Sequence, residues 1–109
     1  MTKTKFIPDE NAEAIGRLLT IARDAFMGGL FFEAWDTEEM VIRSANIDEV
    51  LEAIDGGDEE ITIHFVYSAK AKERFGWVAI MPYEDLDCIP YNYSDTEFCN
   101  KVIEKFNLS

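Results

Sequence analysis

Aspartate and glutamate side chains dominate the middle of the chain. Residues 33–60 contain eleven of them and a single basic residue, Arg43. Carboxylates grouped this densely can bind a metal ion, act as general acid and base, or attract a positively charged partner. The formal net charge of −12 favours the attraction of a positively charged partner. Such a field attracts basic surfaces and repels nucleic acid and anionic membranes.

Metal binding and catalysis find less support in the residue pattern. The segments 55–60 and 84–87 lack the oxygen spacing, central glycine and final glutamate of an EF-hand loop. A zinc site is disfavoured because Cys88 and Cys99 are eleven residues apart and His64 is the only histidine. His64 has no recognisable nucleophile or orienting partner, so we predict a partly exposed strand residue. We therefore predict no catalytic residue, no metal ligand and no cofactor.

A second acidic segment, YEDLDCIPYNY at residues 83–93, combines carboxylates with tyrosines. Exposed tyrosines beside acids would form an aromatic anchor for a basic partner, since tyrosine supplies contact area at low entropic cost. The alternative is a connector, because Pro90 and Tyr93 precede a helix start. Both interpretations remain open at this stage. The residues that the binding hypothesis uses are Tyr83, Glu84, Asp85, Asp87 and Tyr91.

Three segments have the spacing of amphipathic helices. They are residues 9–26 with Asp9 or Asn11 as the cap, residues 47–54 with Asn46 as the cap, and the segment that follows the capping box at 94–97. The first is predicted to stop at Gly28-Gly29 and the second at Gly56-Gly57, because glycine accepts the left-handed conformation. The outer face of the second helix carries only acids.

Four segments have the composition or alternation of strands: residues 30–35, 40–43, 61–67 and 76–81. The connector 68–74 holds the basic cluster Lys70, Lys72 and Arg74, which we interpret as a solvated hairpin tip. The order α-β-β-α-β-β-α predicts a single α+β domain over residues 1–109. We expect a four-stranded, mainly antiparallel sheet packed with three helices.

The N-terminal sequence has two lysines but no apolar core of a signal peptide, and no apolar run approaches the length of a membrane span. These features favour a cytoplasmic protein that does not bind a membrane, and the net charge of −12 argues against direct binding of nucleic acid. The oligomeric state is open.

The function that the sequence favours is a non-enzymatic interaction protein whose acidic face binds a basic protein or protein complex. In size and charge the chain resembles the small acidic proteins of phages and plasmids that block restriction or CRISPR complexes. That resemblance implies a DNA mimic acting on a nucleic-acid-binding defence complex; no motif carries it. The alternatives are a regulatory protein-binding module with a merely solvating acidic surface, or a small carboxylate-dependent enzyme or metal-binding protein. The predicted acidic face consists of Asp36, Glu38, Glu39, Asp48, Glu49, Glu52, Asp55, Asp58, Glu59 and Glu60.

Overall fold

A computed structural model of the protein describes residues 4–26, 29–66 and 74–108. It is an α+β fold with three helices and an antiparallel sheet, as the sequence predicts, but the sheet has five strands where four were expected. The elements are α1 (Asp9–Ala25), β1 (Phe31–Trp35), β2 (Met40–Ser44), α2 (Ile47–Ile54), β3 (Ile61–Val66), β4 (Arg74–Ile80), β5 (Asn92–Tyr93) and α3 (Glu97–Leu108). A short 3-10 helix, Leu86–Cys88, lies between β4 and β5.

Helix α1 buries the apolar stripe that its sequence spacing predicts, including Ile15, Leu18 and Leu19. Its cap is not the predicted one. Pro8 is the N-cap residue and makes no side-chain cap bond, while the Asn11 side chain is 2 % exposed and faces another part of the chain. The predicted stop at Gly28 lies outside the described residues.

The other two helices begin with side-chain caps. Asn46 accepts the backbone N–H of Glu49 at 3.2 Å, which confirms the predicted cap of α2. At α3 the prediction placed Ser94 at the cap, but Thr96 accepts the N–H of Cys99 at 3.3 Å and the helix begins at Glu97. Ser94 instead accepts the N–H of Trp77 at 3.0 Å, and so connects α3 to the sheet.

The strand order is β2-β1-β3-β4-β5, and every neighbouring pair is antiparallel. Strand β5 was missed because it has only two residues, which pair with Val78 and Ala79 of β4. Strand β4 starts at Arg74, so this residue belongs to the sheet and not to the predicted connector. Lys70 and Lys72 lie outside the described residues.

The helices pack on one face of the sheet. The buried core joins their apolar stripes to alternate residues of the strands, among them Phe32, Ile63, Phe65 and Val78. The residues between these point to the opposite face, because side chains alternate along a strand. No described helix covers that face, which we call the open face; it carries Glu33, Trp35, Thr62, His64 and Trp77. Within the described residues, none of the helices has the length and apolarity needed to cross a bilayer.

Candidate binding surface at the acidic end of the sheet

Three acidic segments that are distant in sequence meet at one end of the sheet. The β1–β2 turn (36–39), the residues before β3 (55–60) and the segment after β4 (81–91) all leave the sheet at this end, because the strands are antiparallel and adjacent. Neighbouring strands lie about 4.8 Å apart. The strand ends from which neighbouring segments leave are therefore closer together than the Debye length of about 8 Å at physiological salt.

Hydrogen bonds hold the three segments together. The Thr37 hydroxyl lies 3.3 Å from the carboxylate of Asp58 and donates to it. The backbone N–H of Gly56 donates to the Tyr83 hydroxyl at 2.7 Å. The buried side-chain amide of Asn11 donates to the carbonyl oxygens of Pro82 and Glu84, both at 2.8 Å, which brings the start of α1 to the same end.

We call this region the acidic end. Asp36 is half-buried there and the other carboxylates are exposed. None of them forms an ion pair with the part of the chain that the structure describes. Lys5 also lies at this end and contributes one positive charge. The carboxylates are Asp9, Glu10, Asp36, Glu38, Glu39, Asp58, Glu59, Glu60, Glu84 and Asp85.

Two of these, Asp9 and Glu10, were not in the predicted surface. The first thirty-two residues have no net charge, so the sequence offered no signal for them. The contact of α1 with the segment after β4, through Asn11, brings them beside the other acids.

Two predicted binding residues lie away from the acidic end. Asp48 is at the start of α2, about 9 Å along the helix axis from Ile54, and lines a groove with Arg17 and Arg23. Glu49 accepts a hydrogen bond from the Ser44 hydroxyl at 3.3 Å. Two further predicted residues, Glu52 near the end of α2 and Asp87 in the segment after β4, are exposed, and Asp87 lines a depression that also contains Arg17.

Two other predicted binding residues have contacts within the fold. Asp36 accepts the backbone N–H groups of Glu38 and Glu39 at 3.2 and 2.9 Å, and so orders its own turn. Asp55 accepts the N–H groups of three residues that precede α1, at 2.6 to 2.9 Å. Burial raises the pKa of Asp55, but these backbone hydrogen bonds outweigh it, so the pKa lies below its usual value.

The two tyrosines of the predicted binding segment differ in exposure. Tyr83 is half-buried, packs against the core and holds Gly56. Tyr91 is 37 % exposed, and its hydroxyl donates to the Glu60 carboxylate. This hydrogen bond, together with burial and the negative charge of Glu60, raises the pKa of Tyr91 to about 12. Of the two, Tyr91 therefore has more surface to offer a partner.

A charged cluster on the open face was not foreseen from the sequence. Glu33 is 6 % exposed, and its carboxylate lies 3.4 Å from Arg43 and 2.9 Å from Arg74. The Trp35 indole N–H also donates to it, at 3.0 Å. Burial raises the pKa of Glu33, but the hydrogen bonds and the two guanidinium charges outweigh it and lower the pKa. Glu33 is therefore an internal counter-ion and not part of the acidic surface.

His64 lies beside this cluster, as the partly exposed strand residue that was predicted. It pairs with Glu33 on one side and Trp77 on the other, and its ring meets Trp35 edge-on at 6.4 Å. Burial lowers the pKa of His64, and the charge of Arg74 adds to this while Glu33 opposes it. The imidazole is thus neutral at pH 7.

One surface depression, of about 760 Å³, lies between α1 and α2, and its ionisable lining consists of Glu13, Arg17, Arg23 and Asp48. Across residues 4–26, 29–66 and 74–108, no three His, Cys, Asp or Glu side chains converge as a metal site would require. Neither cysteine forms a disulfide; Cys99 is buried and Cys88 is half-buried.

In comparisons with known proteins, no family model, no curated protein sequence and no solved structure matches this chain.

Proposed function

We propose that this protein is a non-enzymatic binding protein that docks its acidic end onto a basic surface of another macromolecule. The observation that carries the proposal is the convergence of three separate acidic segments at one end of the sheet. A solvating surface needs only scattered charge. Carboxylates gathered without cationic partners repel one another and lower stability, so their concentration is best explained by a partner that neutralises them.

The physical advantage of such a surface is a fast and selective encounter. Complementary charge raises the association rate and excludes partners of the same sign, while buried aromatic contacts supply the affinity. Tyr91, at the border of the acidic end and the open face, offers an aromatic contact of this kind.

The finer form of the proposal is that the partner is a nucleic-acid-binding complex of the restriction or CRISPR type. One strand of duplex DNA carries a charge about every 3.4 Å, and adjacent strand ends of a sheet are about 4.8 Å apart. Acids on neighbouring strand ends therefore approach the charge spacing of a phosphate strand. A surface that binds phosphates could accept the acidic end in their place.

An enzymatic role has less support. Acid–base chemistry by carboxylates needs one of them to hold a proton near neutral pH, which requires a raised pKa. Glu33 and Asp55 do not meet this requirement, because the effect of burial is outweighed by hydrogen bonds and neighbouring positive charges, which lower the pKa of both.

The first experiment measures binding of a fluorescent oligoarginine peptide across a series of NaCl concentrations. Wild type should bind it with an affinity that falls steeply with salt. A variant with Glu38→Gln, Glu39→Gln and Glu59→Gln should bind about tenfold more weakly. The matched control, Glu13→Gln, Asp24→Asn and Glu104→Gln, removes the same charge from exposed positions outside the acidic end and should stay within about twofold of wild type.

Equal weakening in both variants would mean that only net charge matters, and the acidic end would then not be a binding site. Salt-insensitive binding by wild type would also exclude the proposal. For the finer form, partners captured from the native host by wild type and by the control, but not by the acidic-end variant, are tested for release by duplex DNA. Captured partners that DNA does not displace would exclude a DNA mimic.

A further inference from the structure

A shallow depression of about 310 Å³ lies on the open face where it meets the acidic end. Thr62 and Ala79 form its floor, Trp77 and Tyr91 contribute aromatic rings, and Glu60 contributes the carboxylate. His64 lines it as well and bears a buried ring nitrogen, Nδ1, that has no hydrogen-bond partner in the described part of the chain. The acidic-end proposal uses none of these aromatic side chains apart from Tyr91.

The same sheet face already contains an arginine bound by an indole and a carboxylate. The guanidinium carbon of Arg74 lies 5.6 Å from the centre of the Trp35 ring. Its Nη2 atom donates to Glu33 at 2.9 Å, and the Trp35 indole N–H donates to that carboxylate too. The planar guanidinium suits this arrangement, because it can stack on an aromatic ring while its N–H groups point in the ring plane toward a carboxylate.

The depression presents the same pair of groups without an arginine. Trp77 of β4, two strands away from β1, supplies the indole, and Glu60, directly before β3, supplies the carboxylate. No described lysine or arginine forms an ion pair with Glu60 or a cation–π contact with Trp77. The Tyr91 hydroxyl donates to one oxygen of Glu60, which orients the carboxylate and leaves the other oxygen available.

The electrostatic balance of the lining also favours a cation. His64 is neutral at pH 7 because burial lowers its pKa, an effect that the charge of Arg74 increases and Glu33 opposes. Glu60 is then the charged group of the lining, and the carboxylates of the acidic end adjoin it. Lysine would gain the same charge attraction, but its compact, strongly hydrated ammonium lacks the planar surface that stacks on an indole.

We propose that this depression binds the guanidinium of an arginine side chain of the partner, stacked on Trp77 and paired with Glu60. The inference rests on the proposed function and names the residue by which a basic partner would be recognised. The acidic end supplies attraction over several ångströms, and the depression supplies the geometric selection of arginine over lysine.

The test compares oligoarginine and oligolysine peptides of equal length at an ionic strength of about 0.15 M. Wild type should bind oligoarginine about tenfold more tightly than oligolysine. Glu60→Gln, which keeps an acceptor for Tyr91, and Trp77→Leu, which keeps an apolar side chain, should each reduce this preference to about twofold or less. Glu59→Gln removes the same charge one residue away and should weaken both peptides equally.

A second readout locates the contact. In the NMR spectrum of wild type, the indole N–H resonance of Trp77 should shift on addition of oligoarginine, while that of Trp35 should stay in place. If Trp77→Leu does not fold, as judged by circular dichroism, Glu60→Gln and the indole shifts still decide the question.

The outcomes distinguish the two proposals. An arginine preference that survives Glu60→Gln and Trp77→Leu, or no preference in wild type, overturns the arginine site while the acidic end stands. Failure of wild type to bind either peptide overturns the proposed function, and the arginine site with it.

Discussion

The carboxylate of Asp55, at the end of α2, accepts the backbone N–H of Ile7 at 2.9 Å, although the two residues are 48 positions apart in the chain. The same carboxylate accepts the N–H groups of Lys5 and Phe6, at 2.6 and 2.9 Å. It thereby fixes the segment that leads into α1. From the sequence alone, Asp55 is interpreted as one acid among many on an exposed helix face. Its contacts in the fold give it a structural role.

Replacing this carboxylate should therefore destabilise the protein. Asp55→Ala removes the acceptor of three backbone N–H groups and should lower the free energy of unfolding by about 2 kcal/mol. Glu59→Ala, which removes a nearby exposed acid, should change it by less than about 0.5 kcal/mol. Urea unfolding followed by circular dichroism measures both. Equal effects would show that the contact of Asp55 with residues 5–7 does not stabilise the fold.

Glu33→Gln should be more damaging, since it removes the buried negative charge that pairs with the guanidinium groups of Arg43 and Arg74. We expect the free energy of unfolding to fall by about 2 to 3 kcal/mol. This is less than the usual cost of breaking a fully buried ion pair, because Arg74 is partly solvated. Glu97→Gln, which breaks the exposed pair with Lys101, should cost less than about 0.5 kcal/mol. A Glu33→Gln protein as stable as wild type in urea would mean that the cluster contributes nothing net.

The Glu33 and Asp55 pKa values also set the acid limit of stability. Both are lower in the folded protein than their ordinary values of 4.5 and 3.8. Their contribution is complete above those values and is lost as the pH falls through the folded pKa values. The free energy of unfolding of wild type should therefore drop below about pH 4, and Asp55→Ala should show a shallower drop. An identical pH slope for the two proteins would exclude a lowered pKa at Asp55.

The protonation of His64 can be followed by NMR without ambiguity, because it is the only histidine in the sequence. Its pKa is lowered from the ordinary value of 6.5 by burial and by Arg74, while Glu33 opposes the shift. The neutral imidazole contributes to the free energy of unfolding at pH values above 6.5, and this contribution is lost as the pH falls through the pKa of the folded state. NMR titration should find a pKa below 6.5, and Glu33→Gln should lower it further. A pKa at or above 6.5 in wild type would contradict the buried setting of the ring.

Gly76 and Gly16 allow a tightly packed position to be compared with a loosely packed one. An added Cβ at Gly76, in β4, would lie 2.5 Å from the Cys99 sulfur and 2.6 Å from the Ser94 oxygen. Gly76→Ala should therefore lower the free energy of unfolding by about 2 kcal/mol. Gly16→Ala, inside α1 and 3.9 Å from its nearest neighbour on Leu51, should raise it by up to about 1 kcal/mol. Thermal unfolding of both variants checks the contrast, and a neutral Gly76→Ala would show that α3 has room to move.

The sequence alone determined the three helices and the two main strand pairs. Apolar residues at helical spacing in α1, α2 and α3 can be buried together only in a helix, so local physics was sufficient. Details that depend on a neighbour were missed. Ser94 has the sequence of a cap, but its hydroxyl bonds to Trp77 of β4, and the two residues of β5 form a strand only because β4 lies beside them.

The roles of the acids were decided by the tertiary structure. Composition places negative charge in the middle of the chain, but a carboxylate becomes a surface group or an internal counter-ion according to what lies within a few ångströms of it. Glu33 faces Arg43 across a strand pair, and Asp55 meets the segment before α1. Glu38, Glu59 and Glu84 come together because strand order and antiparallel direction bring their chain segments to one end of the sheet. Charge is a property of each residue, whereas proximity is a property of the strand order, and binding depends on both.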